Sequence, residues 1–119
     1  MELSVVIPMY NEVDNVVPMI SAVRDALSGK IEYELIIVDD GSTDNSLNII
    51  RSFESADSRI KVISKLNEGL AKSLNAAISL SQGDFIARMD ADDISYKNRL
   101  EKQYEYCLLY TSDAADDLL

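Results

Sequence analysis

The sequence predicts an α/β fold: a doubly wound, mainly parallel sheet of about four strands with flanking helices. Four short apolar runs, three of them rich in Val and Ile, have the composition of strands buried on both faces. Segments with helical apolar spacing lie between the runs, and each run ends at or just before a polar cluster. Strands that alternate with helices form parallel layered sheets, because a parallel neighbour needs a crossover.

The first strand is read at residues 3–7, and Val16, Ile20, Val23 and Leu27 place a helix after it, with Gly29 as its stop. The second strand is residues 35–38, followed by a helix marked by Leu47, Ile50 and Phe53. The third is residues 60–63, and Leu70, Leu74, Ala77 and Ile78 mark the next helix. The fourth, residues 85–89, leads to a last helix from 96 to about 109, with Leu100, Tyr104 and Leu108 on one face. Residues 1–109 therefore read as one unit. The remaining "YTSDAADDLL", 110–119, neither extends a strand nor adds a helix face, and is expected to be a foreign or disordered tail.

The 119 residues amount to about one domain, with enough chain to bury a core. Eleven Lys and Arg against 21 Asp and Glu give a formal net charge of -10, which argues against a nucleic-acid or anionic-membrane surface. An anionic ligand would then have to arrive with a cation. Cys107 is the only cysteine and His is absent, which excludes an intramolecular disulfide, zinc sites built on His or Cys, and imidazole bases. No apolar run approaches the roughly 18 residues of a spanning helix, so the chain is expected to be soluble and cytoplasmic. There is no internal repeat and no low-complexity linker.

The polar clusters carry the functional reading. "PMYNE" (8–12), "DDGSTD" (39–44), "NEG" (67–69) and "DADD" (90–93) follow the four strands in turn. A parallel sheet brings all four to one edge, and open α/β sheets bind ligands outside the carboxyl ends of their strands. Each cluster also has a purely structural reading. In "PMYNE", Pro8 would end the strand and Asn11 start the helix, whereas the functional reading has Tyr10 offer a flat ring to a nucleobase. In "DDGSTD", Gly41 relaxes the turn and Ser42, Thr43 or Asp44 caps the helix, which leaves Asp39 and Asp40 to accept an N–H from a base or hydroxyls from a ribose. In "NEGLAKSLNAA", Asn67 would cap with Lys72 and Ser73 in solvent, or the first-turn amides and Lys72 would face an anion.

"DADD" is expected to precede a helix N-terminus, where acids are favoured and Ser95 is placed to cap. Asp90, Asp92 and Glu101 match positions 1, 3 and 12 of an EF-hand loop, but the position that requires Gly holds Ser95 and a strand precedes the loop. That reading fails. Three crowded carboxylates repel unless a divalent cation sits among them, and oxygen-only ligands suit Mg2+ or Mn2+. Such an ion would neutralise a bound diphosphate and make it a better leaving group.

In order over roughly residues 3 to 105, "VVIPMYNE", "VDDGSTDNS", "NEGLAKSLNAAI" and "GDFIARMDADD" resemble the nucleotide-sugar-binding half of the family-2 glycosyltransferases, with their GT-A, Rossmann-like fold. The resemblance implies a metal-dependent, inverting transfer of a sugar from a nucleotide-sugar, with UDP-sugar expected, to a hydroxyl of a saccharide or lipid-linked acceptor in cell-surface polysaccharide synthesis. It puts Pro8, Tyr10 and Glu12 around the nucleoside, Asp40 on a uracil-type base, and Asp90 and Asp92 in a DxD motif. In that motif Asp90 lies near the ribose and Asp92 binds the metal. Asp39 and Lys72 join the donor-binding set. Asp93 and Arg88 are less defined, and Arg88 serves equally as a counter-charge for the acids. The family's general base lies on a segment beyond the DxD helix, so this chain is expected to lack it and not to transfer sugar alone. Any contact with the inner face of a membrane would come through further segments.

Three other readings compete with this one. A polyprenyl-phosphate glycosyltransferase shares "YNE" and "DDGSTD". A receiver-like phospho-acceptor domain shares "IIVDD" and an Asp after a later strand, but leaves residues 3–28 surplus. A binding-only domain shares the donor pocket. Dinucleotide-binding and P-loop readings fail because neither glycine pattern occurs.

Overall fold

The computed structural model describes residues 1–91. The helix expected over 96–109, the tail at 110–119, and Asp92 and Asp93 lie outside them. The described elements run β1 (Leu3–Met9), α1 (Val16–Leu27), β2 (Tyr33–Asp40), α2 (Ser46–Ala56), β3 (Ile60–Lys65), α3 (Leu70–Leu80) and β4 (Phe85–Arg88). All pairings are parallel and the strand order is β3-β2-β1-β4.

β1 and β2 occupy the middle of the sheet and are buried on both faces, which is why their sequences show continuous apolar runs rather than alternation. Side chains alternate between the faces. Leu3, Val5, Ile7, Leu35 and Ile37 meet Met19, Ile20 and Val23 of α1 and Ile50 of α2. Val6, Ile36 and Val38 meet Ala77 and Leu74 of α3. The helices therefore cover both faces, as the doubly wound expectation requires. Among the described residues no helix is long and apolar enough to cross a membrane.

Pro8 lies inside β1 instead of ending it. Val6 accepts the Met89 N–H, so every second residue of β1 turns its backbone polar groups toward β4. The β4 ladder stops at Arg88, opposite Val6. The N–H that Pro8 lacks therefore has no ladder partner to lose. Pro18 is tolerated for a related reason, since it falls in the first turn of α1, where amides have no intrahelical acceptor.

A polar cluster at the amino end of the sheet lies outside the runs that predicted the strands. Glu34 is fully buried on the α3 face. Its carboxylate accepts from the Ser4 hydroxyl at 2.6 Å, the Gln82 N–H at 2.6 Å and Lys61 Nζ at 2.6 Å, while Ser4 Oγ accepts the Gly83 N–H at 2.8 Å. Burial opposes ionisation of Glu34, but Lys61, Ser4 and Gln82 together outweigh it and hold the carboxyl below its usual range. The cluster ties β1, β2, β3 and the approach to β4 together at the edge away from the polar loops.

Candidate functional site

β1, β2 and β3 follow one another outward along the sheet, with α1 and α2 on one face. The chain then returns through α3 on the other face and sets β4 beside β1. The direction of winding reverses there, and at such a point the loops diverge and leave a crevice at the strand ends. An open cavity of about 450 Å³ occupies that crevice, within the size range of small-molecule sites.

Pro8, Tyr10 and Glu12 line it from the end of β1, Asp40 from the end of β2, and Asp90 from the end of β4. The sequence selected each of these five. Tyr10 is 46% exposed, so its ring is free to be covered by a ligand. Glu12 is steadied by Asn15 Nδ2, which donates to its carboxylate at 2.6 Å.

Asp40 is nearly buried, and its carboxylate accepts the Glu68 N–H at 2.9 Å and the Gly69 N–H at 3.1 Å. Burial opposes its ionisation. Those amides, the Ser73 hydroxyl and the charge of Lys65 outweigh burial and hold the carboxyl below the ordinary Asp range. A carboxylate has about four acceptor positions, so two amides leave Asp40 able to accept again. The amides of Glu68 and Gly69, just ahead of α3, are taken by the Asp40 carboxylate, and Lys72 is not part of that contact.

Asp39 is placed elsewhere. Neighbouring strand residues point to opposite faces, so Asp39 turns to the α1/α2 side while Asp40 faces the cavity. One Asp39 oxygen accepts the Ser42 N–H at 3.2 Å, and the other is buried with no hydrogen-bond partner among the described residues. The two acids therefore do not act side by side. Lys72 also lies off the cavity, with its side chain 70% exposed and 4.0 Å from Glu68. Ser73, given to solvent by the structural reading, is instead fully buried in the cavity wall together with the exposed Asn67. α3 starts at Leu70 with Gly69 at its N-cap, at φ 98°, rather than at Asn67. The one-residue alternation that separates Asp39 from Asp40 was open to sequence reasoning; the positions of Ser73 and Lys72 depended on where α3 begins.

The expected caps of α2 are used differently as well. Asn45 holds the N-cap position without a side-chain capping bond, its Oδ1 accepting from Asn48 Nδ2 instead, and Asp44 accepts from the Ser46 N–H and hydroxyl. Ser42 and Thr43 bond across to Asn11. Arg88 lies 3.3 Å from Asp90, as a counter-charge would. Asp90 brings one carboxylate to the cavity, an oxygen donor of the kind a hard divalent cation takes. Among the described residues no three acids form a metal-sized cluster.

An open, doubly wound parallel sheet whose strand-end loops surround an acid-lined crevice is the ligand-binding class of α/β domain. The family model for glycosyl transferase family 2 matches residues 4–116, and the chain belongs to that family, with the GT-A fold. It is 37% identical over 107 residues to TuaG of Bacillus subtilis, described as a teichuronic acid biosynthesis glycosyltransferase, covering 89% of this chain and 42% of TuaG. To the glycosyltransferase GlyG of Streptococcus pneumoniae it is 38% identical over 104 residues, covering 87% of this chain and 34% of GlyG. The crystal structure of S. aureus TarS 1-349 in complex with UDP-GlcNAc superposes with a TM-score of 0.78 at 28% identity, over 92% of this chain and 32% of that one. The chain thus spans less than half the length of each of these relatives. Family membership displaces the receiver-like alternative.

Proposed function

We propose that the cavity is the nucleotide-sugar site of a glycosyltransferase and that this chain supplies its donor-binding part. The observation that carries the reading is the convergence on one crevice of Tyr10, Glu12, Asp40 and Asp90, from three separate strand ends. An ionised Asp40 with acceptor capacity left over suits the imide N–H of uracil, and the Tyr10 ring suits stacking on the same base. Glu12 and Asp90, which line the cavity together with Pro8, suit ribose hydroxyls as acceptors. The likeness to TarS, whose structure holds UDP-GlcNAc, supports a UDP-sugar as donor.

Asp92, the second acid of the DxD motif, would hold Mg2+ or Mn2+, and oxygen donors are what these ions take. When bound, such an ion neutralises the charge that develops on a departing diphosphate. In the transfer itself a base removes the proton of the acceptor hydroxyl, the oxygen attacks the anomeric carbon from the face opposite the diphosphate, and configuration inverts. The likeness to TuaG, named for teichuronic acid biosynthesis, supports a role in cell-surface polysaccharide synthesis, with a saccharide or lipid-linked acceptor.

Calorimetric titration of UDP into the chain, with and without Mn2+, in wild type and Asp92→Ala, tests this reading. Binding that needs Mn2+ and is lost in the variant is expected. Absence of UDP binding under every condition would remove the donor assignment.

A further inference from the structure

Asn11 lies between two cavity residues and lines no part of the cavity itself. Its φ is 51°, in the left-handed region, where a side chain is unfavourable and Gly would sit more easily. It is also exposed, so core packing does not account for it. What Asn supplies there and Gly cannot is a set of hydrogen bonds to the loop after β2. Its Oδ1 accepts the Thr43 N–H at 2.7 Å and the Asp44 N–H at 3.3 Å, and its Nδ2 donates to Thr43 Oγ1 at 3.2 Å. Its backbone N–H donates to Ser42 Oγ at 2.9 Å, and the next amide, of Glu12, donates to Ser46 Oγ at 3.1 Å. The segment carrying Tyr10 and Glu12 is therefore latched to the segment that follows Asp40, across more than thirty positions of sequence.

We infer that Asn11 is a positioning residue: its side chain sets the spacing between Tyr10 and Glu12 on one wall of the cavity and Asp40 on the other, and so pre-organises the site for a nucleoside. The inference rests on the donor reading above. A stacked base and an N–H···carboxylate bond must form together, and an opening of the two walls by a fraction of an ångström weakens both. Latching them before the ligand arrives removes an ordering cost from binding.

Three substitutions separate the side chain from the backbone. Asn11→Gly keeps the left-handed turn and the two backbone bonds to Ser42 and Ser46, and removes the side-chain bonds to Thr43 and Asp44. Asn11→Asp keeps the acceptor for the Thr43 and Asp44 amides and loses only the Nδ2 donor. Asn11→Ala loses the same side-chain bonds and strains the turn. UDP affinity is measured calorimetrically in the presence of Mn2+, and Tm is measured on the same samples. Asn11→Gly should lose about tenfold in affinity with Tm nearly unchanged, and Asn11→Asp should recover most of that loss. Asn11→Ala should lose both affinity and Tm.

Wild-type affinity in Asn11→Gly, or an Asn11→Asp variant no better than Asn11→Gly, would overturn the inference while leaving the donor site standing. A wild-type chain that binds no UDP removes the donor reading, and the inference with it.

Discussion

Gly83 and Asp40 show how single residues at opposite ends of the sheet are constrained for different reasons. A Cβ on Gly83 would lie 2.5 Å from the backbone N of Ser4 and 2.7 Å from the carbonyl carbon of Leu3. Neither atom moves without displacing β1, so Gly83→Ala should destabilise the chain by about 1–3 kcal/mol. Urea denaturation would read this as a lower midpoint at constant slope, and an unchanged midpoint would refute the steric account. For Asp40 the constraint is hydrogen bonding. Asp40→Asn turns one acceptor into a donor that faces an amide N–H, either Glu68 or Gly69, and we expect a stability loss of about 1–3 kcal/mol together with loss of UDP binding. Gly41 is constrained in two ways: its φ is 76° and a Cβ would meet the Asn67 backbone N at 2.8 Å, so the β2 turn and the α3 approach close only around glycine.

Among the elements, the four strands and three described helices fall where their periodicities placed them, with β1 and β3 two residues longer at the carboxyl end, β2 two residues longer at each end, and β4 one residue shorter. The extensions are informative. β2 begins at Tyr33 rather than at residue 35 because Glu34, which lies outside the apolar run, is buried and satisfied by Ser4, Lys61 and the Gln82 amide. Hydropathy registers the charge of Glu34 but not its partners, which come from three distant segments. Removing the carboxylate in Glu34→Ala leaves the buried Ser4 hydroxyl and the Gln82 amide without this acceptor, at a cost of roughly 3 kcal/mol. Ser4→Ala should cost less, since it strands only the Gly83 N–H and one lone pair of Glu34. Equal losses from the two substitutions, measured by urea denaturation, would mean that Glu34 is not the centre of the cluster.

For the whole molecule, the excess of acid sets the response to pH. Glu34 is held below its usual range despite burial, Asp40 likewise, Asp44 by the Ser46 hydroxyl and amide, and Asp57 by Arg59, with burial opposing and Arg24 assisting. In each case the folded state binds its proton at lower pH than the unfolded chain. The stabilisation is therefore complete above the unfolded carboxylate range of about 3.9–4.3 and is lost as pH falls through and below it. Tm should hold steady between about pH 6 and 8 and drop steeply below about pH 4.5. Asp57→Asn should flatten part of that drop. A Tm that rises as the solution is acidified would show that relief of the net charge of -10 outweighs these paired acids.

What the sequence determined by itself was local. Apolar period marks each strand and helix, and the residues just past each strand must gather at one edge of a parallel sheet, so Pro8, Tyr10, Glu12, Asp40 and Asp90 were all legible as a group. The tertiary structure decided which way each of them faces and what holds it there. Asp39 and Asp40 differ by one position and lie on opposite faces, Ser73 is buried while Lys72 is not, and Asn11 is committed to a loop thirty residues away. These outcomes depend on strand register, on where α3 starts and on pairings between distant segments, and none of those is a property of any short stretch of chain.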